Sequence, residues 1–149
     1  YTVRGNALMP TLMAGDRVLV NRWSYGLRVG DGKYFNYGRL WHQDVQRGDI
    51  VAFESPTDRQ VLLCRCKALP GETVSVDGQQ VKVPSRNDCD DTDYYWLETI
   101  NPQNPVDSRL LGCIPEHLII GRAFTIAYSH DPKAQPWRGW RPQRIFMPL

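Results

Sequence analysis

No stretch of this 149-residue chain approaches the ~20 consecutive apolar residues that a membrane-spanning helix needs. Charge of one sign is lacking too: 18 basic side chains against 16 acidic ones leave a formal net charge of +2, too little to point to nucleic acid. The three histidines, at 42, 117 and 130, are scattered, and the four cysteines, at 64, 66, 89 and 113, have no partners at zinc-ligand spacing. Neither a metal nor a cofactor is therefore expected. Repeats and low-complexity tracts are missing, and helical periodicity is confined to a short turn at 115–118.

A hydrophobic fraction of 42% with 23% charged residues is that of an ordinary globular chain, and this length suffices for one sizeable core, so residues 1–149 read as a single domain. Short β-rich runs at 17–20, 49–53, 60–66, 73–76, 80–83 and 123–128 are divided by turn signals. Asp77-Gly78, between the fourth run and the fifth, marks a hairpin. Spacing and turn density predict an all-β barrel or sandwich. Cys64 and Cys66 lie two apart on one run and so share a face, a geometry poor for bonding to each other; they read as small packed hydrophobes.

The remaining polar features are plain. Ser24, Ser55, Ser75, Ser85, Ser108 and Ser129 sit in turns, strands or loops where serine is commonplace, and a lone histidine is usually a surface or capping group. The acidic stretch 88–93 reads as a solvated loop rather than a calcium site. Basic and aromatic residues mix at 22–28 with 34–41, and again at 137–144. Such mixtures suit a membrane interface, and they also suit single-stranded nucleic acid.

The most informative segment is Asn6-Ala7-Leu8-Met9-Pro10-Thr11-Leu12, followed by Gly15-Asp16-Arg17-Val18-Leu19-Val20. Further on come Tyr25-Gly26, Arg47-Gly48-Asp49-Ile50-Val51 with Phe53 and Pro56, then Arg65-Cys66-Lys67-Ala68-Leu69-Pro70-Gly71-Glu72, then Asp107-Ser108-Arg109, and finally Ile120-Gly121-Arg122-Ala123. In order and spacing, over nearly the whole chain, this series resembles the type I signal peptidases, membrane-bound serine endopeptidases that cut signal peptides from exported proteins. The resemblance implies the coiled β-sheet of their catalytic domain, a membrane anchor upstream of Tyr1, and a domain facing the periplasm or the extracellular side. It turns the aromatic and basic segments toward a membrane surface and away from nucleic acid. A Cys89–Cys113 bridge stays open in such an oxidising compartment.

The departures from the family concentrate where its chemistry lies. The family's first segment reads Gly-Ser-Met-x-Pro-Thr-Leu, with the serine as nucleophile, and its second begins Lys-Arg, with the lysine as general base. Here those positions are Ala7 and Cys64. Ala7 offers no hydroxyl to attack a carbonyl, and Cys64 would have nothing to deprotonate. The hydroxyl residue that helps stabilise the oxyanion is replaced by Gly5, and the serine that orients the base by Pro105, which has neither hydroxyl nor N–H. Lys67 does not substitute, because an odd offset along a strand points it to the opposite face. Asp107 and Arg109, which in the family pair structurally and hold the loop near the site, are kept.

What the resemblance implies is a signal-peptidase-like protein of the export pathway that has lost its dyad. Such a protein would bind an extended signal-peptide segment or an active paralogue, with Leu8, Met9, Leu62 and Leu63 lining the groove. The alternative is an active serine endopeptidase of this type, its residues either changed by engineering or replaced by non-standard ones. An engineered change at Ala7 alone leaves Cys64, Gly5 and Pro105 unexplained.

Overall fold

Alternation of buried and exposed residues fixes the first strand: β1 (Asp16–Asn21) buries Asp16 and Val18 and turns Arg17 and Leu19 outward. The computed structural model describes residues 1–3, 8–29, 38–41, 43–88, 92–100, 106–135 and 137–149. β2 (Leu27–Val29) and β3 (Gly38–Leu40) pair with each other as a separate ribbon. β4 (Ile50–Glu54) is apolar from Ile50 to Phe53 and buried on both faces, as a central strand must be. β5 (Val61–Ala68) runs antiparallel to it. β6 (Thr73–Val76) and β7 (Gln79–Lys82) form the hairpin predicted at Asp77-Gly78, whose residues take φ of 49° and 83°, the positive values that a type I′ turn requires.

The second half adds β8 (Tyr94–Glu98), one turn of helix α1 (Ser108–Leu111), β9 (Ile114–Pro115) and a 3-10 turn at Glu116–Leu118 where the sequence marks a short turn. Then come the eleven-residue β10 (Ile119–Ser129), a second 3-10 turn at Pro142–Arg144, and β11 (Met147–Pro148). The architecture is all-β. Its main sheet has the order β1-β10-β4-β5-β8-β9, with β11 also on β10, and every pairing is antiparallel.

β10 shapes this sheet. Its register shifts at Ile119/Gly121 against β4 and twice against β1, and such bulges bend a strand and raise its twist. Gly121 lets the end of β1 cross close by: a Cβ there would collide with the Asn21 carbonyl and meet Arg22 Cα at 2.8 Å. The curved sheet has a core on either side. Val51, Phe53, Cys64, Cys66, Tyr95, Leu97, Ile114 and Ile119 form one; Leu8, Leu12, Val18, Ile50, Ala123 and Ile126 form the other. A smaller cluster of Ala68, Val74, Val83 and Trp96 seats the β6–β7 hairpin, with Cys113 against it.

Cys113 is a free thiol, while Cys89 lies outside the described residues. Among the described residues, no helix is long and apolar enough to cross a membrane.

Candidate functional site

β5 has a neighbour on both sides over only part of its length. Val61 to Arg65 are in register with β4, whereas only Arg65, Cys66 and Ala68 are in register with β8. Among the described residues, positions 61–64 therefore pair with a strand on one side only. Cys64 stands at the end of this open stretch.

Strand alternation sends Cys64 and Cys66 into the first core and Arg65 and Lys67 out of it. Lys67 lies well exposed, with its ammonium 3.8 Å from Glu98. The Cys64 thiol donates to the Val106 carbonyl at 3.9 Å. Burial pushes this thiol up to about 12; the Asp107 carboxylate adds to the rise and Arg109 opposes it. Cys66 is likewise pushed up to about 12, by burial and then by Asp49. Both are protonated at neutral pH, and the protonated thiol is a poor nucleophile and no base. In the folded protein at pH 8, Cys64 and Cys66 are expected to resist maleimide while Cys113 reacts first, with all of them labelled in urea. Peptide mapping of the adducts checks this, and rapid native labelling of Cys64 would contradict its burial.

The segment beside Cys64 is organised by Asp107. Its carboxylate caps α1 by accepting from Arg109 N at 2.9 Å, and it accepts from Thr99 N at 2.8 Å and Thr99 Oγ1 at 2.9 Å. The Arg109 guanidinium closes on it through Nε and through Nη2 at 2.6 Å, and also donates to Thr99 Oγ1. Ser108 Oγ accepts from Leu97 N at 2.9 Å, which fastens the loop to β8. The Asp107–Arg109 pair is thus a knot that holds residue 106 against Cys64.

The first segment reaches the opposite face of β5. Leu8 is buried beside Leu12, whose N–H donates to the Leu8 carbonyl at 2.9 Å, and Leu63 packs against the same cluster. Leu62, on the other face, packs against the first core, and Met9 is exposed. Arg65 Nη2 lies 3.4 Å from Thr11 Oγ1. Ala7, Gly5 and Pro105 fall outside the described residues. In the acidic loop, Asp88 accepts from Lys82 and Ser85, and Asp93 accepts from Arg86. No local sequence signal marks the Arg65–Thr11 or Cys64–Val106 contacts, since their partners stand 54 and 42 residues apart.

An antiparallel sheet that gathers these three segments about Cys64 and Arg65 defines a domain of the signal-peptidase type. The family model described as "Signal peptidase, peptidase S26" matches residues 1–92. Signal peptidase I of Pseudomonas aeruginosa is 27% identical, over 89% of this chain and 66% of its own length. Mitochondrial inner membrane protease subunit 2 of Saccharomyces cerevisiae is 28% identical, over 85% of this chain and 66% of its own. Subunit 1 of the human mitochondrial inner membrane protease is 32% identical, over 80% and 63%. The chain belongs to the signal peptidase family, peptidase S26. It spans slightly less than two thirds of the length of these curated relatives.

Proposed function

We propose that this chain is a non-catalytic signal-peptidase relative that keeps the family's groove and uses it to bind an extended signal-peptide segment. The observation that carries this reading is that, among the described residues, positions 61–64 pair with a strand on one side only. A peptide that adds a strand there gains main-chain hydrogen bonds, and its alternate side chains meet whatever lines the groove. It would run past position 64, where the buried, protonated Cys64 stands in for the family's base. Met9 is exposed and Leu62 and Leu63 are half-buried on opposite faces of β5, which leaves all three as candidates for the lining, while Leu8 supports Met9 and Leu63 from the core.

The same reading places the domain at the outer face of a membrane, tethered by an anchor upstream. Trp23, Trp41, Trp137 and Trp140 are each more than half exposed, with Arg17, Arg22, Arg138 and Arg122 also on the surface, a composition that suits lipid headgroups. An active paralogue is the alternative occupant of the groove.

The test is a titration with a labelled Ala-x-Ala signal peptide and with the same peptide N-methylated at alternate residues. Methylation removes the donors on which strand addition depends, and is expected to weaken binding by about tenfold or more, as are Met9→Asp and Leu63→Asp. Equal affinity for both peptides would remove strand addition. No binding of either would remove the peptide and leave the paralogue as partner.

A further inference from the structure

We propose that residues 141–149 form a strap that positions the first wall of this groove, with Arg144 as the positioning residue. The inference rests on the groove reading above, but its structural half can be tested without a peptide. Both ends of the strap are fastened to β10. At its start Arg141 N donates to the Ser129 carbonyl at 3.1 Å; at its end β11 pairs with Thr125 and Ile126, and Leu149 N donates to the Phe124 carbonyl at 3.0 Å. Between these points two arginines reach inward across residues 11–16.

Arg144 makes the central contact. Its Nε donates to Asp16 Oδ1 at 3.2 Å and its Nη2 to Asp16 Oδ2 at 2.6 Å, while Nη2 also donates to the Thr11 carbonyl at 2.8 Å. Asp16 is fully buried and accepts in addition from Met13 N at 2.8 Å. Arg141 Nη1 takes the Ala14 carbonyl at 3.2 Å and Ser129 Oγ at 3.3 Å. The Gly15 carbonyl accepts from His130 N, at the root of the strap. Residues 11, 14 and 15 thus give up their carbonyls to groups from the far end of the chain.

The consequence for the groove follows from Thr11. Its carbonyl is held by Arg144 and its hydroxyl faces Arg65 on β5, so the turn carrying Leu8 and Met9 is clamped between the strap and the strand beside Cys64. A planar guanidinium can take both carboxylate oxygens and a carbonyl at once, each along its own N–H direction. A lysine ammonium at 144 would keep the charge opposite Asp16 but not this three-point geometry. The strap therefore acts through Thr11 on the wall, without itself touching a peptide.

The experiment uses the full chain as wild type, Arg144→Lys and Arg144→Ala, the last with and without a few millimolar guanidinium. Hydrogen exchange is followed by mass spectrometry over residues 8–16 and over β4 and β5, alongside affinity for the Ala-x-Ala peptide. Both variants are expected to speed exchange over 8–16 by about tenfold, with β4 and β5 unchanged, and to weaken the peptide by a similar factor. Guanidinium is expected to restore the alanine variant on both readouts. Unchanged exchange over 8–16, full function in Arg144→Lys, or loss of protection spread equally over the chain would each overturn the strap. If wild type binds no peptide, the groove reading falls while the exchange data still decide whether the strap holds the turn. Should Arg144→Ala not fold, Arg144→Lys carries the comparison.

Discussion

Freed of host peptidase, the purified domain is expected to leave an Ala-x-Ala signal peptide uncut. Removing the nucleophile of a serine protease lowers kcat by about a million-fold, and Ala7 carries no hydroxyl that could act as one. Restoring the hydroxyl alone is expected to gain nothing. With Cys64 pushed up to about 12, on the order of 10⁻⁵ of it is thiolate at pH 7, so Cys64 could not serve a serine at position 7 as its base. Ala7→Ser should therefore match wild type in a fluorogenic cleavage assay. Adding Cys64→Lys would supply a base, but Gly5 and Pro105 would still offer no hydroxyl. Turnover by wild type that survives removal of trace peptidase would sink the non-catalytic reading and favour an active enzyme with unusual residues.

The largest effect on stability is expected at Asp107. Asp107→Ala should destabilise the fold by about 3 kcal/mol in urea denaturation, the low end for breaking a buried ion pair, because Arg109 is about a third exposed and water can reach it once unpaired. The substitution also leaves Thr99 N and Arg109 N without their acceptor. The pH dependence carries a sign. Burial alone would raise Asp107, but the bonds from Arg109 and Thr99 outweigh it and hold the group below its usual 3.8. Asp16 behaves alike: burial is outweighed by Arg144, Met13 N and Ser129. A carboxylate lowered on folding contributes stability that is complete above its unfolded value and is lost as pH falls through the folded one. The urea midpoint of wild type should therefore stay flat from pH 7 to about pH 5 and fall below about pH 4, with a shallower fall in Asp107→Asn. A steep loss between pH 7 and 5 would mean that other groups govern acid stability.

The features legible in the sequence are those that local chemistry dictates. The apolar run at 50–53 and the Asp77-Gly78 turn specify β4 and the β6–β7 hairpin with no outside help. β8 escaped the same reading because it hides both faces: Tyr95 and Leu97 enter one core and Trp96 another, so the alternation that signals a strand is absent. Helix α1 is a single turn held by its Asp107 cap, too short for any periodicity to register. β10 extends beyond the run at 123–128 because Gly121 and its bulge let it continue from β1 across to β4. At the site, the resemblance singled out Cys64, Asp107 and Arg109. It was silent on the Val106 carbonyl and on Arg144, whose partners lie 42 and 128 or more residues away and are brought together only by the finished sheet.

β10 gives the two cores a common fate. Ile119 is packed into one and Ala123 and Ile126 into the other, and β4 divides its side chains in the same way, with Val51 and Phe53 on one side and Ile50 on the other. Melting either core strips a face from both central strands and withdraws the hydrogen-bonded neighbours on which the other core is built. The two cores are therefore expected to melt together in urea, although their apolar residues form two separate bodies, while the β2–β3 and β6–β7 ribbons, which pair outside the main sheet, open more readily.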